Sequence, residues 1–353
     1  MNKMEYIALG SMSGTSLDGI DLSIIKSNGQ DSFQEIDNFF EPYSDELKNQ
    51  IQKTLNDGYL TNPNLPSLIS NEYVKSLDKI ITKNKSLKID ILGIHGQTVF
   101  HDENLRISLQ IFDKKIITHS YPFIVSNFRK NDLLNGGYGA PIIPIFHQLI
   151  SNKFRINNCV FINIGGVTNI TIIKNKALKA YDLCFGNSLS DDLIRVHNKK
   201  FSYDKDGCYS LNGALIADLE KQISLDVFFK KDLPKTLDRN YFHKYFNDLK
   251  VYSQNSLENT LYTLWSILSS EIIKQSKDCK IILCGGGRKN KTLVDILTKR
   301  HSNVTDIDDL GLNGDFIESQ GMAYLAIRRL LKIPSTYKDT TGINNNVYLG
   351  EIN

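Results

Sequence analysis

The feature that most constrains the fold is a strand–turn–strand pattern that occurs twice, far apart in the chain. Residues 6–26 contain two short apolar runs on either side of the small, polar segment SMSGTSLDG. The pattern returns at residues 160–173, where the segment GGVTN separates two further apolar runs. Apolar runs on both sides of a glycine-rich turn are typical of a β-hairpin. Two such hairpins predict a fold built from two related halves.

Helical and strand patterns alternate through the rest of the chain. Helical spacing of apolar residues is found at 68–81, after Asn187 and at 257–273. Apolar runs typical of buried strands are found at 89–94 and 280–284. Alternation of this kind predicts an α/β fold. We therefore expect two α/β lobes with duplicated domains and a central cleft.

The predicted boundary between the lobes is the run GGYGAPIIP, which begins at residue 136. Glycine and proline end one pattern there, and a proline-started helix, predicted at residues 142–150, begins the next. We predict an N-terminal lobe of residues 1–135, joined by the C-terminal segment 334–353. Residues 136–333 form the predicted C-terminal lobe.

Composition excludes several classes of function. The 42 Lys and Arg residues nearly balance 39 Asp and Glu residues, and no basic run is dense enough to bind a phosphate backbone. No segment approaches the roughly 18 consecutive apolar residues of a membrane span, and the first residues lack a signal-peptide pattern. The five cysteines include no CxxC pair, so neither a disulfide framework nor a zinc site is expected. We expect a cytoplasmic protein without nucleic-acid or membrane partners.

Three glycine-rich turns, at residues 10–19, 165–169 and 285–287, have the chemistry that phosphate binding requires. Backbone N–H groups in a concave loop bind phosphate, and glycine lets the backbone approach without a Cβ. Asp18 and Asp21 of the first turn can hold Mg²⁺ through water. Each turn alone is equally well explained as an ordinary structural turn. Three of them in this order favour a nucleotide-binding site. The candidate nucleotide-binding residues are Gly14, Thr15, Ser16, Leu17, Asp18, Gly19, Ile20, Asp21, Gly165, Gly166, Gly285, Gly286 and Gly287.

The order of these three turns resembles the two-lobed ATPase superfamily of sugar kinases, actin and heat-shock 70 proteins. Seven further motifs resemble the anhydro-N-acetylmuramic acid kinase family, and they extend from Gly10 to near the end of the chain. These motifs are GSMSGTSLDGID at 10–21, HGQT at 95–98, FR at 128–129 with Asp132, GGYGAP at 136–141, NIGG at 163–166, KDG at 205–207 and DFIES at 315–319.

The resemblance implies an ATP- and Mg²⁺-dependent kinase of peptidoglycan recycling and amino-sugar catabolism. Such a kinase opens 1,6-anhydro-N-acetylmuramic acid with water and phosphorylates its 6-oxygen, giving N-acetylmuramic acid 6-phosphate. The implied partner is this small amino sugar, and a homodimer is compatible with the sequence without being determined by it. The resemblance makes Asp182 the base and Glu318 the residue that orients the water. It places His95, Gly96, Gln97, Thr98 and Arg129 against the sugar.

Each of these residues also has an ordinary structural interpretation. Asp182 and Glu318 lie near predicted helix starts, where capping and first-turn carboxylates are common. His95 is also explained as a hydrogen-bonded structural histidine at the end of a strand. Arg129 is also explained as one member of a surface ion pair.

The chain departs from its family directly after the predicted base. The usual continuation is Thr-Gly-Pro-Gly-Asn, whereas residues 183–187 read LCFGN. Lesser departures are Asn127, where Asp is usual, and residues 238–240, which read DRN where Gly-Arg-Glu is usual. They leave two alternatives open: a kinase of the same fold for another sugar derivative, or a nucleotide-binding regulator without turnover.

Overall fold

The computed structural model describes residues 4–14, 17–57, 62–102, 105–113, 123–198, 201 and 203–352. Its internal contacts divide the chain into two compact units. The first consists of Met1–Ile156 with Asp315–Asn353, and the second is Asn157–Gly314. This division does not coincide with the predicted boundaries after residues 135 and 333, because it assigns two helices on the predicted C-terminal side to the first unit.

Each unit begins with three consecutive strands, and helices follow them. The strands are β1 (Tyr6–Ser13), β2 (Gly19–Ser27), β3 (Phe33–Pro42), β4 (Ile91–Asp102), β5 (Ile107–Ile111), β6 (Ile124–Ser126), β7 (Asn158–Ile164), β8 (Val167–Lys174), β9 (Ala177–Phe185), β10 (Lys280–Cys284), β11 (Val304–Asp306) and β12 (Glu351–Ile352). The helices are α1 (Asp45–Asp57), α2 (Leu65–Lys83), α3 (Lys130–Leu134), α4 (Pro144–Lys153), α5 (Asn187–His197), α6 (Ala217–Ser224), α7 (Phe246–Asn255), α8 (Leu257–Ser276), α9 (Lys291–Arg300), α10 (Ile317–Leu330) and α11 (Lys338–Thr341).

Each unit contains one mixed sheet, and the two sheets share their strand order. The first sheet runs β12-β6-β4-β1-β2-β3 with β5 beside β4, and the second runs β11-β10-β7-β8-β9. In both, the first three strands form an antiparallel meander, and the first strand pairs in parallel with the next strand of the sheet. The two predicted hairpins are β1–β2 and β7–β8. The predicted α/β fold with duplicated halves is therefore confirmed.

The sequence pattern did not predict the third strand of each meander, which is β3 in the first unit and β9 in the second. Strand β9 matters most because it contains Asp182, which the sequence placed near the start of a helix. Helix α5 begins only at Asn187, and its N-cap residue is Gly186. The interpretation of Asp182 as a capping carboxylate is therefore wrong.

Helix α10 packs directly on the first sheet because two glycines leave room for it. A Cβ at Gly10 of β1 would lie 2.1 Å from the carbonyl oxygen of Ser319. A Cβ at Gly93 of β4 would lie 2.5 Å from the carbonyl oxygen of Met322. Real Cβ atoms do not approach so closely, so these two positions require glycine. The packing fixes the first turn of α10, which carries Glu318.

Helix α8 forms much of the core of the second unit. The sequence predicted one apolar face for it, and those side chains are buried in the same cluster as side chains of β7 and β10: Leu261, Leu264, Trp265 and Leu268. Within the part of the chain that the structure describes, no helix combines the length and apolar character that crossing a bilayer would need.

Candidate active site

The first predicted nucleotide loop connects β1 and β2. Gln97 supports it from β4, because its Nε2 donates to the carbonyl oxygen of Gly14 over 3.2 Å. The Gln97 side chain is fully buried, so this contact is shielded from water. Thr15 and Ser16, two of the predicted nucleotide-binding residues, lie outside the described residues.

Three other predicted residues of this loop are held by packing within the first unit. Leu17 and Ile20 bury their side chains in the hydrophobic core, so only their backbone atoms can face a ligand. A Cβ at Gly19 would lie 2.1 Å from the carbonyl oxygen of Glu41 on β3. Close contact between neighbouring strands therefore explains this glycine without a ligand.

Four carboxylates converge near the base of this loop. Burial raises the pKa of Asp21 on β2 to about 8, and nearby negative charges add to the effect. Those charges belong, in order of size, to Glu318, Asp315 and Asp18. Such a group of charges favours a cation. Among the described residues, no three His, Cys, Asp or Glu side chains form a group that could hold a metal ion.

The second predicted loop connects β7 and β8, and the start of α5 anchors it. The Asn187 N–H donates to the carbonyl oxygen of Gly165 over 2.8 Å. The Ser188 hydroxyl donates to the carbonyl oxygen of Gly166 over 2.7 Å. These contacts satisfy donors at the helix N-terminus and fix the turn in one conformation.

Two glycines of the second and third loops are not required by the protein's own packing. A Cβ at Gly165 would meet only the Val167 carbonyl oxygen, at 3.6 Å, and one at Gly286 would meet only Asn187 Nδ2, at 3.9 Å. Neither glycine has a left-handed φ. A Cβ at Gly287, in contrast, would lie 2.1 Å from Ile164 Cγ2. The space above Gly165 and Gly286 suits the close approach of a ligand.

This difference between glycines leads to a testable prediction. We expect Gly165→Ala and Gly286→Ala to leave the unfolding midpoint unchanged but to weaken ATP binding at least about tenfold, a cost of roughly 1.4 kcal/mol. Gly186→Ala is the matched control, because a Cβ there would lie 2.3 Å from the Gly165 carbonyl oxygen and should destabilise the fold. Calorimetric titration with ATP measures the affinity. Unchanged affinity in both of the first two variants would refute the phosphate assignment.

The third predicted loop does not lead directly into a helix. A 3₁₀ turn, Gly286–Lys289, separates its first glycine from α9. Asn290 then caps α9, since its side-chain oxygen accepts the Leu293 N–H over 3.0 Å. The N-terminus of α9 is thus occupied by its own cap. The glycine backbone remains the candidate surface for a nucleotide.

Arg288 stabilises this third loop and was not singled out from the sequence. Its guanidinium is almost fully buried and donates to the Gly285 carbonyl oxygen over 3.2 Å. It also pairs with Asp306 at 3.2 Å and with Asp308 at 3.0 Å. These partners lie about twenty residues further along the chain, so no local pattern could reveal them.

Asp182 is held from two sides by one backbone segment. Its Oδ2 accepts the Leu237 N–H over 2.9 Å, and its own N–H donates to the Lys235 carbonyl oxygen over 2.9 Å. A register shift lies beside it, between Thr168 and Asn169 on β8. Bulges of this kind re-aim a side chain and are common beside active sites. The arrangement presents a buried, oriented carboxylate, as a general base requires.

The departure from the family pattern after Asp182 lies in the hydrophobic core. Leu183, Cys184 and Phe185 are 2%, 0% and 3% exposed. The Phe185 ring packs edge-on against Phe242 with 5.2 Å between ring centroids. These three side chains therefore pack in the hydrophobic core of the second unit.

The predicted sugar-contacting segment, residues 95–98, lies within β4. Pairing with β1 reaches Gln97, and pairing with β5 continues from Gln97 to Asp102. His95 is buried, and its Nδ1 lies 2.8 Å from the Gly96 carbonyl oxygen. The neutral ring therefore donates from Nδ1 and accepts at Nε2, where the Arg129 Nε–H approaches to 3.3 Å. Burial lowers the pKa of His95 to about 3, and the Arg129 charge adds to this. Thr98 accepts a hydrogen bond from Gln110 over 3.4 Å.

Arg129 is oriented by two partners rather than left on the surface. Besides His95, its Nη1–H donates to the Gly139 carbonyl oxygen over 2.9 Å. This fixes the plane of the guanidinium, which is the geometry that recognises a carboxylate through two parallel hydrogen bonds.

The two units have the same strand order, and each has a glycine-rich turn between its first two strands. These features define an actin-like, ribonuclease H-like fold of the phosphotransferase and ATPase class. The chain belongs to the anhydro-N-acetylmuramic acid kinase family, whose model matches residues 4–353. The resemblance drawn from the sequence motifs is therefore confirmed.

The relatives match over nearly their full length. The anhydro-N-acetylmuramic acid kinase of Pelagibacter ubique (strain HTCC1062) is 38% identical over 366 residues, which covers 96% of each chain. That of Legionella pneumophila (strain Corby) is 32% identical over 360 residues, covering 98% of this chain and 97% of its own. Among solved structures, the activator of the 2-hydroxyisocaproyl-CoA dehydratase from Clostridium difficile with bound ADPNP has a TM-score of 0.45 and 13% identity. That match covers 92% of this chain and 95% of the activator.

Proposed function

We propose that the protein is a cytoplasmic, ATP-dependent kinase that hydrolytically opens 1,6-anhydro-N-acetylmuramic acid and phosphorylates its 6-oxygen. The water oxygen bonds to C1 while the bond between C1 and the 6-oxygen breaks. The 6-oxygen takes the γ-phosphoryl group, ADP leaves, and the base takes the proton of the water. The observation that carries this proposal is the buried Asp182 carboxylate, oriented by Leu237, in a chain of this kinase family.

Asp182 is the proposed general base. One of its oxygens accepts the Leu237 N–H, which fixes the direction of the carboxylate. A base must be held within hydrogen-bond reach of the proton that it removes. Two hydrogen bonds to the segment Lys235–Leu237 support that role, because they hold the carboxylate in one orientation.

Glu318 is proposed to orient the attacking water, and Mg²⁺ to accompany the ATP. The carboxylates of Asp18 and Asp21 would hold Mg²⁺ through water, a role supported by the convergence of negative charge around Asp21. When bound, Mg²⁺ neutralises charge on the β- and γ-phosphates. The backbone at Gly165 and Gly286 is proposed to approach the nucleotide, which the open space above both residues supports.

Arg129 is proposed to bind the lactyl carboxylate of the sugar. His95 and Gly139 hold its guanidinium in one plane, so the group can bind a carboxylate in a fixed orientation. This arrangement favours an acidic amino sugar over a neutral one.

The two alternative functions are not favoured. The changed residues 183–185 are buried in the core, so they give no reason to expect another sugar. A regulator without turnover has no need of an oriented carboxylate, whereas Asp182 is present and anchored.

The proposal is tested by measuring ADP release with a panel of sugars. The panel contains 1,6-anhydro-N-acetylmuramic acid, N-acetylmuramic acid, N-acetylglucosamine and N-acetylmannosamine, each with and without Mg²⁺. We expect Mg²⁺-dependent release only with the anhydro sugar. Faster release with another sugar would favour a different kinase, and release that no sugar stimulates would favour the regulator.

A further inference from the structure

A network of buried and half-buried polar side chains joins the start of α10 to strands β2 and β3. Ser319 Oγ lies 2.6 Å from Ser23 Oγ, which donates to Asn38 Oδ1 over 2.7 Å. Asn38 Nδ2 donates to Glu35 Oε1 over 2.7 Å. Gln320 Nε2 donates to Glu35 Oε2 over 2.5 Å. Since Ser319 and Gln320 are neighbours, these contacts form a closed polar ring.

The ring depends on a bulge in β3. Asn38 lies opposite Ser23, and Glu35 lies opposite Ile25, so Ile36 is an extra residue on β3. In a regular strand, residues three apart face opposite sides of the sheet. The bulge places Glu35 and Asn38 on the same side, where both reach the polar ring.

Stability alone does not explain a polar ring at this place. Ser23, Ser319 and Gln320 are fully buried, and matched apolar side chains fill such a space about as well. Hydrogen bonds between such side chains instead specify one arrangement of the elements that they join. Here they tie two consecutive residues of α10 to two strands, so the first turn can neither rotate nor slide.

Two site residues lie directly beside the ring. Glu318 precedes Ser319 in the first turn of α10, and Asp21 lies two residues before Ser23 on the same face of β2. We propose that the polar ring is a positioning device that holds Glu318 where the reaction needs it, with Gln320 and Glu35 as its positioning residues. The inference rests on the role of Glu318 in the proposed function.

A charge swap tests this inference. In Gln320→Glu, two carboxylates face each other at the contact with Glu35. We expect kcat to fall at least about tenfold while KM for ATP changes less than about twofold. In Glu35→Gln/Gln320→Glu, the amide and the carboxylate exchange places and the hydrogen bond re-forms. The double variant should recover kcat to within about threefold of the wild type.

The matched control is Gln34→Glu, which adds the same charge at an exposed position of the same strand and should leave kcat unchanged. Gln320→Leu provides a neutral second variant if Gln320→Glu does not fold. Circular dichroism checks the fold of each variant. We expect Gln320→Leu to lower kcat with the same small effect on KM for ATP.

Combination with Glu318→Gln separates positioning from general structure. If the ring acts through Glu318, Gln320→Glu should lower kcat less than about twofold further in that background. A full multiplicative loss, or loss of kcat without recovery in the charge swap, would overturn the inference. The inference would also be overturned if Glu318→Gln lowers kcat while Gln320→Glu and Gln320→Leu keep the kcat of the wild type. Near-normal turnover of Glu318→Gln would instead refute the proposed role of Glu318.

Discussion

Replacing Asp182 with asparagine is expected to lower turnover by about 10²- to 10⁴-fold while the protein stays folded and still binds ATP. The amide oxygen of asparagine can still accept the Leu237 N–H, so the anchor of the side chain survives. The amide cannot take a proton from water at neutral pH. Single-turnover kinetics and calorimetric titration with ATP measure the two effects separately.

The control for this variant is Asp218→Asn, on the exposed side of α6 in the same unit. It makes the same chemical change without touching the site, so we expect wild-type turnover. Turnover of Asp182→Asn within a few-fold of the wild type would show that another group removes the proton. A parallel loss of ATP binding would show that the substitution disturbs the nucleotide site instead.

Asp132→Ala is expected to destabilise the protein by about 2–5 kcal/mol. Asp132 is fully buried, and its two oxygens accept the Gly139 N–H over 2.8 Å and the Thr341 hydroxyl over 2.5 Å. Alanine leaves both donors buried without their acceptor. Because Thr341 lies in the C-terminal segment, the variant also releases that segment from the turn at Gly139.

Asp132→Asn is the informative comparison. Its oxygen can accept the Gly139 N–H and its amide can donate to the Thr341 oxygen, so we expect a loss of only about 1 kcal/mol. Burial raises the pKa of Asp132, so removal of the charge offsets part of the cost. Urea unfolding followed by circular dichroism is the measurement, because the single tryptophan, Trp265, reports on the second unit. Equal losses for alanine and asparagine would contradict this account of Asp132.

Local patterns in the sequence were sufficient to predict the duplicated α/β fold. Each hairpin turn lies between two apolar runs, and the proline-started helix predicted at residues 142–150 is α4, which begins at Pro144. The third strand of each meander was not predictable in this way. The outer part of β9, for example, reads ALKA, which has no strict alternation, and only pairing with β8 makes it a strand.

The candidate site was predictable by residue type but not by geometry. Sequence alone did not separate Gly19, which close packing against β3 requires, from Gly165, which has space above it. The anchor of Asp182 by Leu237 joins residues 55 positions apart. The contact between Glu35 and Gln320 spans 285 positions. Such contacts depend on tertiary packing, so no local pattern of residues can indicate them.

The central claim, that one reaction both hydrates C1 and phosphorylates the 6-oxygen, is tested most directly in ¹⁸O-labelled water. The product is reduced with borohydride immediately after a short reaction, because the C1 hydroxyl of a free sugar exchanges slowly with water. Authentic N-acetylmuramic acid 6-phosphate, incubated in labelled water for the same time, corrects for that exchange. We predict one heavy oxygen on C1 and none in the phosphate. Label in the phosphate, or no label on C1 beyond exchange, would contradict the proposed reaction.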